Sequence, residues 1–348
     1  MTGYFVFFAL IFLCSLINNK EWMLKLVFVI IAIFSSIRFG IGYDYYSYLD
    51  LATNESFIAS KMELVPRLMA DVSRSTIPFL FFVFSSFFIS FFYYLGLKKY
   101  DGEYLPAVIF YLCFPFLFMD QLGIIRQGMA ASVVFYASSL DQSKIIRRCL
   151  LIALAFSCHS SAIVGALLLL PWNKLTPERL WVMLASSFFI GVVVVKLVLG
   201  ILAMISIESV NTRAEEYLSK ESGGEGRLLQ FLIYLIAIFC ISNYNTIVSY
   251  SRKNGYFVGL VVLGACLFSL FSFNDTVAKR LCMFFFSSTI FVVPYLVRAM
   301  GISLRIFYIL CIILFSLLIF VGRNNSRMED PPGYSVTYPY RTIFGYSL

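Results

Sequence analysis

Long apolar runs separated by short polar stretches occupy most of the chain. A membrane-spanning helix needs about 17 to 25 apolar residues, and fewer where the helix is short. The runs therefore predict an all-α polytopic membrane protein with about ten full transmembrane helices. These helices are predicted at residues 2–17, 22–37, 76–97, 104–119, 123–140, 180–205, 227–250, 255–273, 277–300 and 303–321.

Residues 145–171 form an apolar run of ambiguous length. The run is long for one helix and short for two, and Cys158-His159-Ser160-Ser161 interrupts it near the middle. We predict a re-entrant pair of half-helices around His159, which enters and leaves the membrane on one side. A single crossing is the alternative.

Three longer polar segments interrupt or follow the apolar runs. Residues 38–75 contain apolar positions at helical spacing from Glu63 to Val72, which predicts a helix lying on the membrane surface. Residues 206–226 form the second segment, and residues 322–348 form a tail rich in Tyr and Pro. We predict one transmembrane domain over 1–321, followed by an extended tail whose tyrosines line an outer groove or which is disordered.

Composition supports the membrane assignment. Hydrophobic residues make up 60% of the 348 residues and charged residues 13%, whereas soluble domains are about half apolar and about a quarter charged. All eight cysteines fall inside or at the ends of apolar runs, without the spacing of metal ligands or of a disulfide framework. No metal site is therefore predicted.

The absence of familiar motifs from the sequence narrows the function. The chain has no Walker loop and no G-x-G-x-x-G motif, which argues against ATP-driven transport and nucleotide-cofactor chemistry. Lys196 is the only charge deep inside a predicted span, and this is sparse for a proton-coupled transporter. No cofactor is predicted.

The net charge of +8 reflects membrane topology, because cytoplasmic loops collect Lys and Arg. Nucleic acid is therefore not an expected partner. With 145–171 read as re-entrant, the short loops rich in Lys and Arg all lie on one side, which is predicted to be cytoplasmic. Residues 38–75, residues 206–226 and the tail are then extracytoplasmic.

Four arginines at the outer ends of spans have no topological explanation, since the positive-inside rule does not place cations there. They are Arg38, Arg126, Arg227 and Arg280. Nearby carboxylates are one set of partners that the sequence offers, namely Asp44, Asp120, Glu225 and Asp275. A phosphate group is another, because the arginine fork matches phosphate oxygens.

The segment from Arg38 to Tyr48 combines two glycines, four tyrosines, an arginine and an aspartate at a membrane edge. Glycines allow close backbone approach, and tyrosine rings offer flat faces to sugars. This pattern favours one wall of an outer-face binding site. An interfacial aromatic belt is the simpler alternative.

Two further positions are candidates for chemistry. Arg126 lies at the outer end of a span rich in small residues, and His159 is the only histidine, at the predicted helix break. Imidazole exchanges protons near neutral pH, so His159 is predicted to contact ligand or catalyse, with a structural hydrogen bond as the alternative. For Arg126 the alternative is an ion pair with Asp120 or another acid.

The second polar segment contains Arg213 and Tyr217 at positions typical of a short amphipathic helix. A flexible Gly223-Gly224-Glu225-Gly226 stretch and Arg227 follow it. The arrangement predicts a lid over the outer face, and a solvated loop is an equal alternative.

Four motifs together resemble a known family. They are Gly40-x-Gly-x-Asp44-Tyr45-x-x-Tyr48, Ile125-Arg126-Gln127-Gly128-x-Ala130, His159-x-Ser161-Ala162 and the late Arg280. In order and placement they resemble the EpsG-like group of bacterial polysaccharide polymerases, which is related in role to the Wzy O-antigen polymerases.

The resemblance implies a GT-C-like glycosyltransferase of the bacterial inner membrane, acting in O-antigen or exopolysaccharide synthesis. Such an enzyme transfers a growing glycan from undecaprenyl pyrophosphate to a lipid-linked repeat unit on the outer face. Its expected partners are the lipid-linked donor and acceptor glycans, the bilayer and a chain-length regulator protein. Neither a nucleotide sugar nor a metal is expected.

The resemblance also implies roles for individual residues. Arg126 and Arg280 would bind the donor pyrophosphate, and Arg38 the phosphates of the acceptor or of both lipids. His159 or Asp44 would position or deprotonate the attacking hydroxyl. The remaining substrate-binding candidates are Tyr43, Tyr45, Tyr48, Gln127, Arg213, Tyr217 and Arg227. Competing classes are an O-antigen ligase-like transferase, a lipid-linked sugar flippase and a membrane acyltransferase.

Overall fold

The computed structural model describes residues 2–14, 16–17, 20–42, 44–54, 62–100, 102–114, 116–194, 197, 200, 224–325 and 340–345. Most of these residues are helical. An isolated antiparallel β-bridge joins Arg38 to Thr342. The chain forms two compact units. The first contains Met1–Leu169 and Ser303–Leu348, and the second contains Leu170–Ile302.

Among its described residues, the first unit begins with nine α-helices and a 3₁₀ helix. They are α1 Thr2–Cys14, α2 Lys20–Ser36, α3 Tyr45–Thr53, α4 Leu64–Ser75, α5 Leu80–Lys98, α6 Tyr104–Cys113, α7 Phe118–Gly123, α8 Ile125–Ser139, α9 Ile145–Cys158 and the 3₁₀ helix Ser160–Leu169.

The second unit contains a short 3₁₀ helix, Trp172–Lys174, and a π-helical turn, Ile190–Val194. The α-helices of its described residues are α10 Pro177–Phe189, α11 Gly224–Ser242, α12 Tyr244–Tyr250, α13 Lys253–Leu270, α14 Asp275–Phe286 and α15 Thr289–Ala299. The chain then returns to the first unit with α16 Leu304–Asn325.

The apolar helices agree with a multi-pass membrane protein. Among the described residues, α5 and α13 are each long and apolar enough to span a membrane. Two bent pairs raise the number to four: residues 228–242 with α12, at 71°, and α14 with α15, at 70°. The remaining apolar helices are shorter, and the figure of about ten full spans stays a prediction.

Two local differences from the predicted elements have physical causes. The span predicted at 104–119 ends at Cys113, where Phe114 is extended with ψ 131°. The following residue is Pro115, and a proline disfavours helical backbone at the residue before it. Helix α3 is not predicted from the sequence, because its tyrosines lie in a polar segment and resemble an interfacial belt.

The helix break predicted near His159 is present. Helix α9 ends at Cys158, His159 is extended with φ −158° and ψ 128°, and the 3₁₀ helix begins at Ser160. Gly165 faces Ile152, so that an added Cβ would lie 3.7 Å from Ile152 Cγ1. The two segments therefore pack against each other as a hairpin with His159 at its tip.

The centre of the second unit is α13. Of its apolar window, 83% is buried, and its small residues let neighbouring segments approach closely. Gly264 meets the backbone of Phe286 on α14, and Gly259 meets Trp172. Larger residues at these two positions would push the segments apart.

Residues 340–345 of the tail pack against the first unit, whereas residues 326–339 and 346–348 lie outside the described residues. Tyr340 is buried, stacks on Phe34 with ring centroids 4.1 Å apart, and donates a hydrogen bond to the Phe34 carbonyl. Phe39 N–H donates to Arg341 O at 2.9 Å, and Ile343 N–H donates to Ile37 O at 2.9 Å. These contacts fasten the tail to the segment that follows α2.

Replacing Tyr340 with alanine is expected to destabilise the first unit by about 3 to 5 kcal/mol, because it empties a buried aromatic site. Tyr340→Phe keeps the stacking and loses one hydrogen bond, at a cost of about 1 kcal/mol. Thermal unfolding of the purified protein in detergent measures both. Equal stability of the alanine variant and the native chain would show that the tail does not support the fold.

Candidate functional site

Three of the predicted motifs meet at one end of the first unit. Helices α3, α4 and α8 converge there with the tip of the His159 hairpin. The side chains or backbone groups that meet are those of Tyr48, Glu63, Arg126, His159, Ser160 and Ser161.

Arg126 lies in the first turn of α8, immediately after a break at Ile124. Its Nη1 is 2.8 Å from Glu63 Oε2, which makes a charge-assisted hydrogen bond. The Arg126 side chain is 31% exposed and that of Glu63 is 16% exposed. The pair is therefore partly desolvated and still reachable from the surface.

Glu63 joins Arg126 to the hairpin tip. It precedes α4 but makes no side-chain cap for that helix, and its Oε1 instead accepts a hydrogen bond from Ser160 N–H at 3.0 Å. Burial alone would raise the pKa of Glu63, but the Ser160 N–H and the charge of Arg126 outweigh it and lower that pKa. The carboxylate is thus charged at neutral pH.

His159 has a defined tautomer when neutral. Its Nδ1 lies 3.2 Å from Ser161 N and 2.7 Å from Ser161 Oγ. A backbone N–H only donates, so Nδ1 is the acceptor and the ring proton resides on Nε2. In this geometry Nε2–H is the hydrogen-bond donor of the ring.

Tyr48 connects α3 to this site. Its hydroxyl accepts a long hydrogen bond, 3.5 Å, from Arg126 N–H, and its ring stacks on Phe81. Burial raises the pKa of Tyr48, although the charge of Arg126 opposes the rise. The hydroxyl therefore keeps its proton at neutral pH. Asp44 is the N-cap residue that precedes α3, one turn before Tyr48, and its carbonyl oxygen accepts a hydrogen bond from Tyr48 N–H.

Arg38 is buried beneath this site, with 1% of its surface exposed. Its guanidinium donates to Ser35 O, to Ser86 Oγ at 3.4 Å and to Leu122 O at 3.1 Å. It also lies 5.3 Å from the centre of the Phe82 ring, on which Tyr45 stacks at 4.4 Å. Arg38 thus supports the segment before α8 from inside, and Tyr45 packs beside Arg38 on the same Phe82 ring.

Glycines bring the Arg38 segment against the α7–α8 junction. Gly42 has φ +107°, and an added Cβ would lie 2.6 Å from Gly123 Cα. The neighbouring Gly40 also has a positive φ, 65°. A backbone this close to another backbone has no room for a side chain.

The other predicted residues belong to α8, α11 or α14 or lie outside the described residues. Gln127 is buried in α8, and Arg280 lies on α14 in the second unit. Arg227 falls in α11, but its side chain is outside the described residues, as are Tyr43, Arg213, Tyr217 and the predicted lid up to Gly223. The flexible stretch predicted at residues 224–226 is wrong, because these residues form the first turn of α11. Among the described residues, no group of three or more His, Cys, Asp or Glu is placed to hold a metal ion.

Glu63 is the site residue that sequence reasoning misses. The acids considered as partners of Arg126 are neighbours along the chain, whereas Glu63 reaches it from another helix. One available signal is its position before the amphipathic helix α4, where a carboxylate normally caps its own helix.

The fold and this site define an all-α, multi-pass membrane protein with a cation, a carboxylate and an imidazole gathered at one end of its first unit. The EpsG family model matches residues 21–342, and the chain belongs to the EpsG family. It is therefore a polysaccharide polymerase of the glycosyltransferase type, which acts on lipid-linked glycans in a membrane. No curated protein and no solved structure matches the chain.

Proposed function

We propose that the chain joins undecaprenyl-pyrophosphate-linked oligosaccharide repeat units into O-antigen or exopolysaccharide on the outer face of the bacterial inner membrane. The observation that supports this most is the meeting of three separate motifs: Tyr48 contacts Arg126, and the Glu63 carboxylate joins Arg126 to Ser160, the residue after His159. Together with the family, this arrangement fits a donor whose leaving group is an anion.

The reaction is a glycosyl transfer. A hydroxyl oxygen of the acceptor sugar forms a bond to the anomeric carbon of the donor glycan, while the bond from that carbon to the pyrophosphate oxygen breaks. The leaving undecaprenyl pyrophosphate keeps the electron pair, and the acceptor hydroxyl loses its proton to a base. Negative charge therefore develops on the pyrophosphate in the transition state.

Arg126 stabilises that developing charge. A guanidinium carries five N–H donors, and Glu63 engages Arg126 through Nη1. Its position at the start of α8 adds the positive end of the helix dipole. Donors fixed before the reaction are the most effective kind of electrostatic catalyst. Arg280, in the second unit, keeps its assignment to the pyrophosphate as a prediction from the sequence.

His159 positions the reacting oxygen by donating from Nε2, since Nδ1 is engaged by Ser161. Asp44, a turn before Tyr48, is then the better proton acceptor for the attacking hydroxyl. Tyr43 contacts the sugars, and the buried Tyr48 holds the first turn of α8 through Arg126 N–H. Arg38 and Tyr45, both buried, hold the segment that carries these groups.

His159→Gln is expected to retain roughly a tenth or more of the polymerising activity, because the glutamine NH₂ replaces the Nε2–H donor. His159→Ala is expected to lose about a hundredfold, within the range for one positioned acid–base or donor group. Polymer length and amount from membranes supplied with lipid-linked repeat units measure both. Equal loss in the two variants would mean that His159 acts as the base.

Complementation of a polymerase-deletion strain tests the function as a whole. The chain, expressed in a strain that makes its own lipid-linked repeat, is expected to restore a ladder of polymer on the lipid carrier. Transfer to lipid A core without lengthening would indicate a ligase. Movement of single repeats across the membrane without new bonds would indicate a flippase. Either outcome would contradict the proposal.

A further inference from the structure

The donors that would bind the leaving pyrophosphate already hold an anion. Arg126 Nη1 lies 2.8 Å from one oxygen of the Glu63 carboxylate, and Ser160 N–H lies 3.0 Å from the other. Carboxylates and phosphates accept hydrogen bonds from the same guanidinium and backbone donors. The geometry points to an exchangeable anion site in which Glu63 is the resident anion and the donor pyrophosphate displaces it. This inference rests on the proposed function.

The backbone donor in this site has no partner within its own helix. Ser160 is the first residue of the 3₁₀ helix Ser160–Leu169, and the first N–H groups of a helix have no intrahelical acceptor. Such groups bind anions, and here the anion comes from another element, α4. Arg126 is the independent second donor, on a third element.

Glu63 brings no capping benefit to α4, because its side chain makes no hydrogen bond to that helix's first turn. Both its oxygens are instead directed to the Arg126 and Ser160 donors. A partly buried cation without a counterion is costly, so the carboxylate keeps Arg126 and the hairpin tip arranged while no donor is bound. Substrate then meets a preformed site at the cost of displacing one carboxylate.

The energetic consequence is a competition. The apparent affinity of an anion is proportional to the fraction of molecules in which its site is open, and a resident group such as the Glu63 carboxylate lowers that fraction. Removing the charge of Glu63 removes that competitor. Glu63→Gln keeps the size of the side chain and one acceptor oxygen, so Arg126 can still donate a hydrogen bond to residue 63. Because glutamine is uncharged, the site accepts phosphate more readily.

The test measures binding of inorganic pyrophosphate to the purified full chain in detergent by calorimetry. We expect about tenfold tighter binding for Glu63→Gln than for the native chain. We also expect loss of this binding for Arg126→Ala and no change for Asp71→Asn. Asp71 is the matched control, because it is an exposed acid on α4 that pairs with Arg74. In the polymerase assay, Glu63→Gln should lower KM for the lipid-linked donor and leave kcat within a few fold.

Unchanged or weaker pyrophosphate binding by folded Glu63→Gln would overturn the inference, since Glu63 would then be a fixed part of the site. A collapse of kcat with unchanged binding would also overturn it and make Glu63 the proton acceptor. If Glu63→Gln does not fold, Glu63→Asp carries the same test, because the shorter side chain withdraws the carboxylate from Arg126. Pyrophosphate binding does not depend on polymerisation. A failed complementation with tighter binding would therefore reject the proposed function and keep the exchangeable site.

Discussion

Replacing Arg126 with alanine is expected to abolish the polysaccharide ladder while single repeat units accumulate on the lipid carrier. The change removes the charged donor at the start of α8 and leaves Glu63 without its ion-pair partner. Removing one preorganised donor to a developing anion typically costs about 3 to 4 kcal/mol, or a factor of 10² to 10³ in rate. A polymer needs many successive transfers, so its length falls even more steeply than the single-step rate.

Arg126→Lys separates the charge of Arg126 from the geometry of its guanidinium, and Arg67→Ala is the matched control. Lysine keeps the positive charge but lacks the planar fork, so we expect weak synthesis of short chains. Arg67 is an exposed arginine on α4, and its removal is expected to leave the ladder unchanged. Gel analysis of glycans together with the amount of protein in the membrane provides the measurement. A normal ladder from a well-expressed Arg126→Ala variant would remove Arg126 from the mechanism.

Helix bounds can be predicted where they depend on local pattern alone. Helices α2, α5 and α8 lie within a few residues of apolar runs, since a bilayer requires continuous apolar segments and internally paired backbone. The helix break at His159 can also be predicted from the sequence, because Cys-His-Ser-Ser places polar groups in the middle of an apolar run. These features do not require knowledge of which helices are neighbours.

Contacts between distant segments were not predictable in the same way. Arg38 lies at a span end, and the sequence does not tell whether its side chain faces ligand or the carbonyl of Leu122. Glu63 reaches Arg126 only because α4 lies beside the hairpin tip. Thr342 pairs with Arg38 across almost the whole chain. Each contact depends on helix packing, which single-sequence periodicity does not specify.

Gly42→Ala is expected to prevent correct folding of the first unit and, with it, polymer synthesis. Two costs add. Alanine at φ +107° adopts a backbone region that side chains rarely occupy, at about 1 to 3 kcal/mol. Its Cβ would also lie 2.6 Å from Gly123 Cα and 2.7 Å from Leu122 O, and backbone atoms cannot move aside as a flexible side chain can. The α7–α8 junction that places Arg126 must then shift.

Gly301→Ala is the matched control for the free-energy cost of placing alanine at a positive φ. Gly301 also has a positive φ, 67°, but an added Cβ there meets nothing within 4 Å. It should cost about 1 to 2 kcal/mol from the left-handed conformation alone, with a small fall in the unfolding temperature and a normal ladder. The difference between the two variants isolates the close approach of Gly42 to Gly123. If both lose the same stability in detergent, that approach contributes nothing, and the position of Arg126 must depend on the Arg38 hydrogen bonds instead.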